Sequence, residues 1–174
     1  MRVAPIGLVF FKDMDLALKN AAISSDVTHP YPRCAESCMI YTKTIVLAMN
    51  GMDKENLAKE IANTTFTDAV LRQTLEIYKS TKDWEERRED QIKSSGYVIS
   101  TLEAALWAFF TTETFKDGAL KVVNLGYDAD TVGAVYGGLS GAYYGIEAIP
   151  TEWTEGLLKR PVIESIASGL ASLN

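Results

Sequence analysis

The chain has 174 residues, 47% hydrophobic and 23% charged, a composition typical of one globular domain. Its formal net charge of −6 argues against a nucleic-acid-binding surface and against attraction to anionic lipid, because both require basic patches. Two cysteines, Cys34 and Cys38, are too few for a disulfide framework, so we expect a reduced, cytoplasmic protein.

The apolar run at residues 3–11 is predicted to be a buried core segment. It follows Arg2 as the apolar part of a signal peptide would, but Pro5 and Gly7 interrupt it and no small-residue cleavage site follows closely. A second apolar run, residues 132–146, is shorter than the roughly 20 residues that a membrane-spanning helix needs. We therefore expect no membrane segment.

Helical periodicity predicts four helices in the first half of the chain. A short one is expected at 15–23, and a longer one from Pro32 to residue 49, where Asn50-Gly51 stops it. Asp53 is expected to cap the third, and Thr67 or Asp68 to start the fourth. The charge-dense residues 79–93 predict a solvated connector or an exposed helix.

The second half also has a helical pattern. Helices are predicted at 101–111, at 115–125 with Gly126 ending the helix, and at 161–170. Between the last two, a Gly-rich helix is expected to open at Asp128 or Asp130 and to end near 145–149. No segment shows the sustained alternation of a strand, so the chain is predicted to be a single all-α domain over residues 1–174.

A stripe of glycines marks the Gly-rich helix. Gly133, Gly137, Gly141 and Gly145 recur at a spacing of four. Each interior glycine costs a helix roughly 1 kcal/mol relative to alanine, so the stripe predicts that another backbone approaches closely and that this helix is central. Its N-terminus is then expected at the floor of a cleft, where a helix end favours anions.

Asp128, Asp130 and Thr131 form a cluster of oxygen ligands just ahead of the Gly-rich helix. One interpretation is helix capping, which a single aspartate would satisfy. The other is a hard divalent cation, which prefers carboxylate and hydroxyl ligands and would relieve the repulsion between two nearby carboxylates. The spacing alone does not choose between them.

Two further residues are candidates for ligand contacts. His29 lies in a polar segment before a helix, where it is either structural or a donor to a phosphate or ribose oxygen. With Cys34 and Cys38 it lacks a fourth zinc ligand and fits no common zinc spacing, so the cysteines are interpreted as small buried helix residues. Tyr97 is either a buried aromatic or a stacking platform for a base.

Several segments together resemble the C-terminal half of the ADP-ribosylglycohydrolase family, particularly its dinitrogenase-reductase-activating branch. The most specific is D-x-D-T-x-G-A at residues 128–134, followed by G-A-Y-Y-G at 141–145. The others occur in order along nearly the whole chain: residues 1–8, Thr28-His29-Pro30, Gly96-Tyr97-Val98, 101–107, Ile149-Pro150 and Trp153.

The resemblance implies a compact, all-α, multi-helix orthogonal bundle that lacks the N-terminal helices of the family. It implies hydrolysis of the N- or O-glycosidic bond between ADP-ribose and a protein side chain, with two Mg²⁺ or Mn²⁺ ions as cofactors. The implied partners are ADP-ribose or an ADP-ribosylated protein. The implied metal ligands are Asp128, Asp130 and Thr131, and the implied substrate-binding residues are Met1, His29 and Tyr97.

The sequence also departs from the family pattern. Members usually carry a catalytic-site glutamate, a Thr-Asp-Asp metal cluster and a Gly-Asn-Gly loop ahead of the segment that begins here at Met1. Tyr127 replaces a common Asp or Gly, and Ser100 a common Asp. We therefore assign no catalytic residue and expect a truncated homologue, weak or inactive alone, that is completed by an N-terminal chain or forms a homo-oligomer.

Two other functions remain open on these residues. A non-catalytic module could keep a pocket for ADP-ribose or bind a partner. Alternatively, the chain could be a helical scaffold in which Asp128 and Asp130 only cap a helix.

Overall fold

A computed structural model describes residues 2–173, which form eleven α-helices and two short 3-10 turns without a strand. The chain is therefore all-α, as predicted. The helices are α1 Ala4–Val9, α2 Met14–Asp26, α3 Pro32–Met49, α4 Lys54–Ala62, α5 Ala69–Leu75, α6 Thr81–Glu85, α7 Val98–Phe110, α8 Phe115–Val123, α9 Ala129–Tyr144, α10 Thr151–Glu155 and α11 Arg160–Ala171.

Several predicted helix ends are confirmed. Helix α3 begins at Pro32, whose missing N–H is not needed in the first turn, and ends at residue 49 as predicted. Asp53 and Asp68 are the N-cap residues of α4 and α5. Their carboxylates accept hydrogen bonds from the backbone N–H groups of Asn56 at 2.8 Å and Leu71 at 2.9 Å.

Helix α7 lies at the centre of the bundle. All but two of its thirteen residues are buried, because α3, α5, α6, α8 and α9 surround it. A helix that is apolar on all sides is expected in such a position. Helices α3 and α9 pack on α7 and on each other, and these three helices form the frame on which the candidate site is built.

The charge-dense segment 79–93 contains a buried anchor that its charge pattern did not indicate. Its short helix α6 carries Trp84, which is fully buried and stacks on Tyr78 with ring centroids 3.6 Å apart. The indole N–H of Trp107 donates to the backbone carbonyl of Arg87 at 3.0 Å. The interpretation as a solvated connector is therefore wrong for α6, because Trp84 packs this part of the segment against the core.

The N-terminal apolar run forms α1 and is only partly buried. Val3 and Gly7 are buried, whereas most of the other side chains in this run are half-buried because α1 covers the surface of α3 and α9. The expectation of a wholly buried segment is thus wrong in extent. No helix within residues 2–173 is long and apolar enough to cross a membrane.

The glycine stripe does not make the close backbone contact that its spacing predicted. Helix α9 is central, but a Cβ at Gly137 or Gly141 would meet nothing within 4 Å. A Cβ at Gly133 would lie 3.2 Å from Val123 Cγ1, which is a side-chain contact. The tightest position is Gly138, outside the stripe, where a Cβ would overlap the Tyr41 hydroxyl and lie 2.9 Å from the Ala4 Cβ. Gly145 instead ends the helix with φ of 78°.

Candidate ligand-binding site

A cavity of about 860 Å³ opens between the loop after α2, the start of α3, the start of α7 and the first turns of α9. It brings together His29, Tyr97 and Thr131, which are widely separated in the sequence. Three of the predicted site residues therefore line the same cavity. A cavity of this volume suits a ligand larger than a single sugar. Met1 lies outside the described residues.

Hydrogen bonds hold the loop that carries His29 to the end of α2. The His29 backbone N–H donates to the Ser25 carbonyl at 2.8 Å, and Nδ1 lies 2.9 Å from the Thr28 hydroxyl oxygen. Arg2 donates from Nη2 to the Ser24 carbonyl at 2.8 Å and to the Thr28 hydroxyl at 3.2 Å. These contacts engage Nδ1 and leave His29 exposed at the cavity.

Tyr97 lies at the N-cap position of α7 with 44% of its surface exposed. It is therefore not a buried aromatic, and its role as a stacking platform stays a prediction. The preceding loop is joined to the start of α9, because the Ser94 hydroxyl donates to the Gly126 carbonyl at 2.6 Å. The Asp128 N–H in turn donates to the Ser94 carbonyl at 3.0 Å.

The acidic cluster occupies the start of α9, but its aspartates do not cap the helix. Asp128 is at the N-cap position and forms no side-chain cap hydrogen bond, and Asp130 lies exposed in the first turn. Within residues 2–173, neither carboxylate forms a hydrogen bond or an ion pair. Thr131 lines the cavity. Capping therefore does not account for the two aspartates.

Gly96 makes room for the Asp128 carboxylate. A Cβ at Gly96 would lie 2.7 Å from Asp128 Oδ2, closer than a real Cβ tolerates. Tyr127, directly before this carboxylate, has φ of 54° and is 99% exposed. That left-handed conformation is more readily adopted by glycine or aspartate, which explains why either residue would suit the position.

The cluster fits a hard divalent cation in chemistry and falls short of one in ligand number. Carboxylate and hydroxyl oxygens are the ligands that Mg²⁺ and Mn²⁺ prefer, with about six around each ion. Asp128, Asp130 and Thr131 supply three such side chains. In the part of the chain that the structure describes, no three His, Cys, Asp or Glu side chains converge on a common metal position.

An ion pair beside the cavity was not predicted from the sequence. Arg33 Nε donates to both carboxylate oxygens of Asp68, at 3.1 and 3.2 Å, and the guanidinium carbon lies 5.9 Å from the centre of the Tyr97 ring. The hydrogen bond to Asp68 raises the pKa of Arg33, and the same bond lowers the pKa of Asp68. The sequence indicated Asp68 only as the start of a helix.

The two cysteines line the same cavity. Cys34 and Cys38 lie one turn apart on α3, both as free thiols, and they are half-buried rather than buried as expected. Burial raises the pKa of the Cys38 thiol. Both cysteines therefore lie on the face of α3 that lines the cavity, near Ser25 of α2.

The sequence matches the family model of ADP-ribosylglycohydrolase over residues 1–174. It is similar to the ADP-ribosylarginine hydrolase Tri1 of Pseudomonas putida (strain GB-1), with 33% identity over 171 residues, 98% of this chain and 44% of that protein. It is also similar to the ADP-ribosyl-(dinitrogen reductase) glycohydrolase of Rhodospirillum rubrum, with 45% identity over 65 residues, 37% of this chain and 22% of that protein.

The fold gives the same result. The structure is similar to that of an ADP-ribosylglycohydrolase-related protein complex, with a TM-score of 0.86 and 36% sequence identity over 99% of this chain and 58% of that one. The chain therefore spans about half the length of the Pseudomonas protein and of the solved structure. Over that span, family model, relatives and fold agree, and the chain belongs to the ADP-ribosylglycohydrolase family.

Proposed function

We propose that this chain binds ADP-ribose in the 860 Å³ cavity and belongs to a metal-dependent hydrolase of ADP-ribosylated proteins. The reaction would cleave the N- or O-glycosidic bond between ADP-ribose and a side chain. The observation that carries the proposal is the meeting of His29, Tyr97 and Thr131 on one cavity. A relative that matches nearly all of the chain is named an ADP-ribosylarginine hydrolase, which favours arginine as the modified side chain.

The residues on the cavity divide the recognition between them. Tyr97 presents an exposed ring on which the adenine base can stack, a contact that is worth roughly 1–3 kcal/mol per base. His29 also lines the cavity, and its Nδ1 lies 2.9 Å from the Thr28 hydroxyl oxygen, so its Nε2 is the nitrogen left to meet a ribose or phosphate oxygen. Both contacts orient the ligand without taking part in bond cleavage.

Asp128, Asp130 and Thr131 are the residues that would hold the metal. A bound divalent cation supplies Lewis-acid stabilisation and orients the substrate. The Gly96 backbone leaves space for the Asp128 carboxylate, and the carboxylate forms no hydrogen bond or ion pair within residues 2–173. Three ligands are too few for two ions, so we propose that residues 1–174 alone turn over substrate weakly or not at all.

Calorimetry and metal-dependent melting test this proposal. ADP-ribose should bind the wild-type chain, and Tyr97→Ala should weaken that binding by roughly tenfold or more. Mn²⁺ should raise the melting temperature of wild type but not of Asp130→Asn, while Asp90→Asn, an exposed aspartate paired with Arg88, should behave as wild type. Absence of heat at millimolar ADP-ribose would sink the ligand assignment.

Assays of hydrolysis test separately whether the chain needs further metal ligands for turnover. Hydrolysis of ADP-ribosyl-arginine with Mn²⁺ should be weak or undetectable for residues 1–174 and should rise when a chain carrying the family's N-terminal acidic cluster is added. Robust turnover by residues 1–174 alone would contradict the claim that further ligands are needed.

A non-catalytic ADP-ribose-binding module is the second candidate. The cavity is formed by residues within 2–173, whereas the metal ligands found there are incomplete, and this contrast favours it. ADP-ribose binding that is indifferent to Mn²⁺, with no hydrolysis in the complemented mixture, would establish this function in place of the enzyme.

A further inference from the structure

We propose that Arg33 is a ligand-contacting residue whose guanidinium binds the diphosphate of ADP-ribose, with Asp68 as the residue that positions it. This inference rests on the proposed function and adds the residue that would recognise the anionic part of the ligand. Arg33 and Asp68 both line the cavity.

The hydrogen bonds of Arg33 to Asp68 leave its outer nitrogens available. Within residues 2–173, both hydrogen bonds of Arg33 to Asp68 come from Nε, and Tyr97 is a second neighbour of the guanidinium that raises its pKa. The side chain is 34% exposed, whereas that of Asp68 is 15% exposed. The buried end of the pair is thus the carboxylate, and the fork of Nη donors is the end that a ligand can reach.

Charge distinguishes the cavity from the rest of the chain. The chain carries −6 overall, yet the formal charges lining the cavity are two arginines, Arg2 and Arg33, against Asp68. Arg2 already donates from Nη2 to Ser24 and Thr28, whereas Asp68 uses neither Nη nitrogen of Arg33. It lies in the first turn of α3, which contains no acidic residue, and the helix dipole adds to the positive potential there.

Asp68 is itself held rigidly. Its carboxylate accepts the Leu71 N–H at 2.9 Å as the N-cap of α5. Glu36, one turn after Arg33 on α3, accepts the N–H groups of Thr67 at 3.0 Å and Asp68 at 3.1 Å. The start of α3 and the start of α5 are therefore clamped together, which fixes the guanidinium before a ligand arrives.

The geometry also explains why arginine rather than lysine suits the position. A guanidinium can donate through Nε to Asp68 while its Nη fork meets two oxygens of a phosphate, and its flat face can lie near the Tyr97 ring. A lysine ammonium is a single point charge and would have to share it between Asp68 and the ligand.

Calorimetric titrations with ADP-ribose, ADP and adenosine test the assignment. Arg33→Gln should weaken ADP-ribose and ADP binding by roughly tenfold or more, since a charge-assisted hydrogen bond is lost, and should leave adenosine binding unchanged. Arg33→Lys should bind ADP-ribose and ADP with affinities between those of wild type and Arg33→Gln. Arg88→Gln is the matched control, because Arg88 pairs with Asp90 at 2.7 Å away from the cavity, and it should change none of the affinities.

Three outcomes would overturn the inference. If Arg33→Gln weakens adenosine as much as ADP, Arg33 shapes the cavity or Tyr97 and does not read phosphate. If Arg33→Gln and Arg33→Lys bind every ligand as wild type does, Arg33 makes no contact. If wild type binds no ADP-ribose at millimolar concentration, the proposed function fails first, and this inference with it.

Discussion

Adjacent glycines on α9 should respond to alanine with opposite signs. Gly137 and Gly138 share one helix and one turn, but a Cβ at Gly137 would meet nothing within 4 Å, whereas one at Gly138 would overlap the Tyr41 hydroxyl. Gly137→Ala should therefore stabilise the protein by the difference in helix propensity. Gly138→Ala should destabilise it through overpacking.

The magnitudes follow from the local contacts. Removing an interior helix glycine gains about 0.5–1 kcal/mol. At Gly138 the new methyl group meets the Ala4 Cβ at 2.9 Å and displaces Tyr41, which is 3% exposed and donates to the Val135 carbonyl at 2.7 Å. Overpacking costs about 1–3 kcal/mol, so after the propensity gain we expect a net loss of up to about 2.5 kcal/mol.

Thermal unfolding followed by circular dichroism measures both variants. For a chain of this size the melting temperature should rise by about 1–4 °C in Gly137→Ala and fall by up to about 10 °C in Gly138→Ala. The reasoning is refuted if Gly138→Ala is at least as stable as Gly137→Ala. Gly141→Ala, with equally open space, serves as a second control and should not destabilise.

Two substitutions and one thiol-labelling experiment test the core and the cavity. Tyr78→Phe removes the hydroxyl that donates to the buried Glu103 carboxylate at 2.5 Å and should destabilise by about 1–3 kcal/mol in urea unfolding; an unchanged midpoint would contradict this. Trp84→Ala should cost about 3–5 kcal/mol, because it empties a fully buried site, and a loss under 1 kcal/mol would mean that the segment is solvated. Burial raises the pKa of Cys38, so a smaller fraction of this thiol is thiolate at pH 8. Iodoacetamide should therefore label Cys38 more slowly than a free thiol until the pH passes its raised pKa, and mass spectrometry measures the rate. Because Cys38 lines the cavity, ADP-ribose should slow the labelling further.

Local signals predicted the helices well where one residue sets the boundary. Pro32 starts α3 and Asp53 caps α4, since each effect involves only the backbone of the next turn. The boundary of α7 was less accurate: it was predicted from residue 101, but the helix begins at Val98, because Tyr97 and the loop before it are held by contacts distant in sequence.

Predictions failed where the partner of a residue decides its role. The glycine stripe suggested close packing, yet which glycine is crowded depends on where Tyr41 of α3 lies. Trp84 sits among charged residues, and only the packing of α6 on α7 shows that it is buried. Periodicity describes a helix face and does not identify the neighbour that meets it.

The sequence by itself determined the all-α character, most helix positions and the family, because periodicity, caps and the D-x-D-T-x-G-A segment are local features. The tertiary structure decided which residues meet. It placed His29, Tyr97 and Thr131 on one cavity, and it added Arg33 through its ion pair with Asp68, 35 residues away in the chain. Contacts over such separations depend on how α3, α7 and α9 pack, which no short motif encodes.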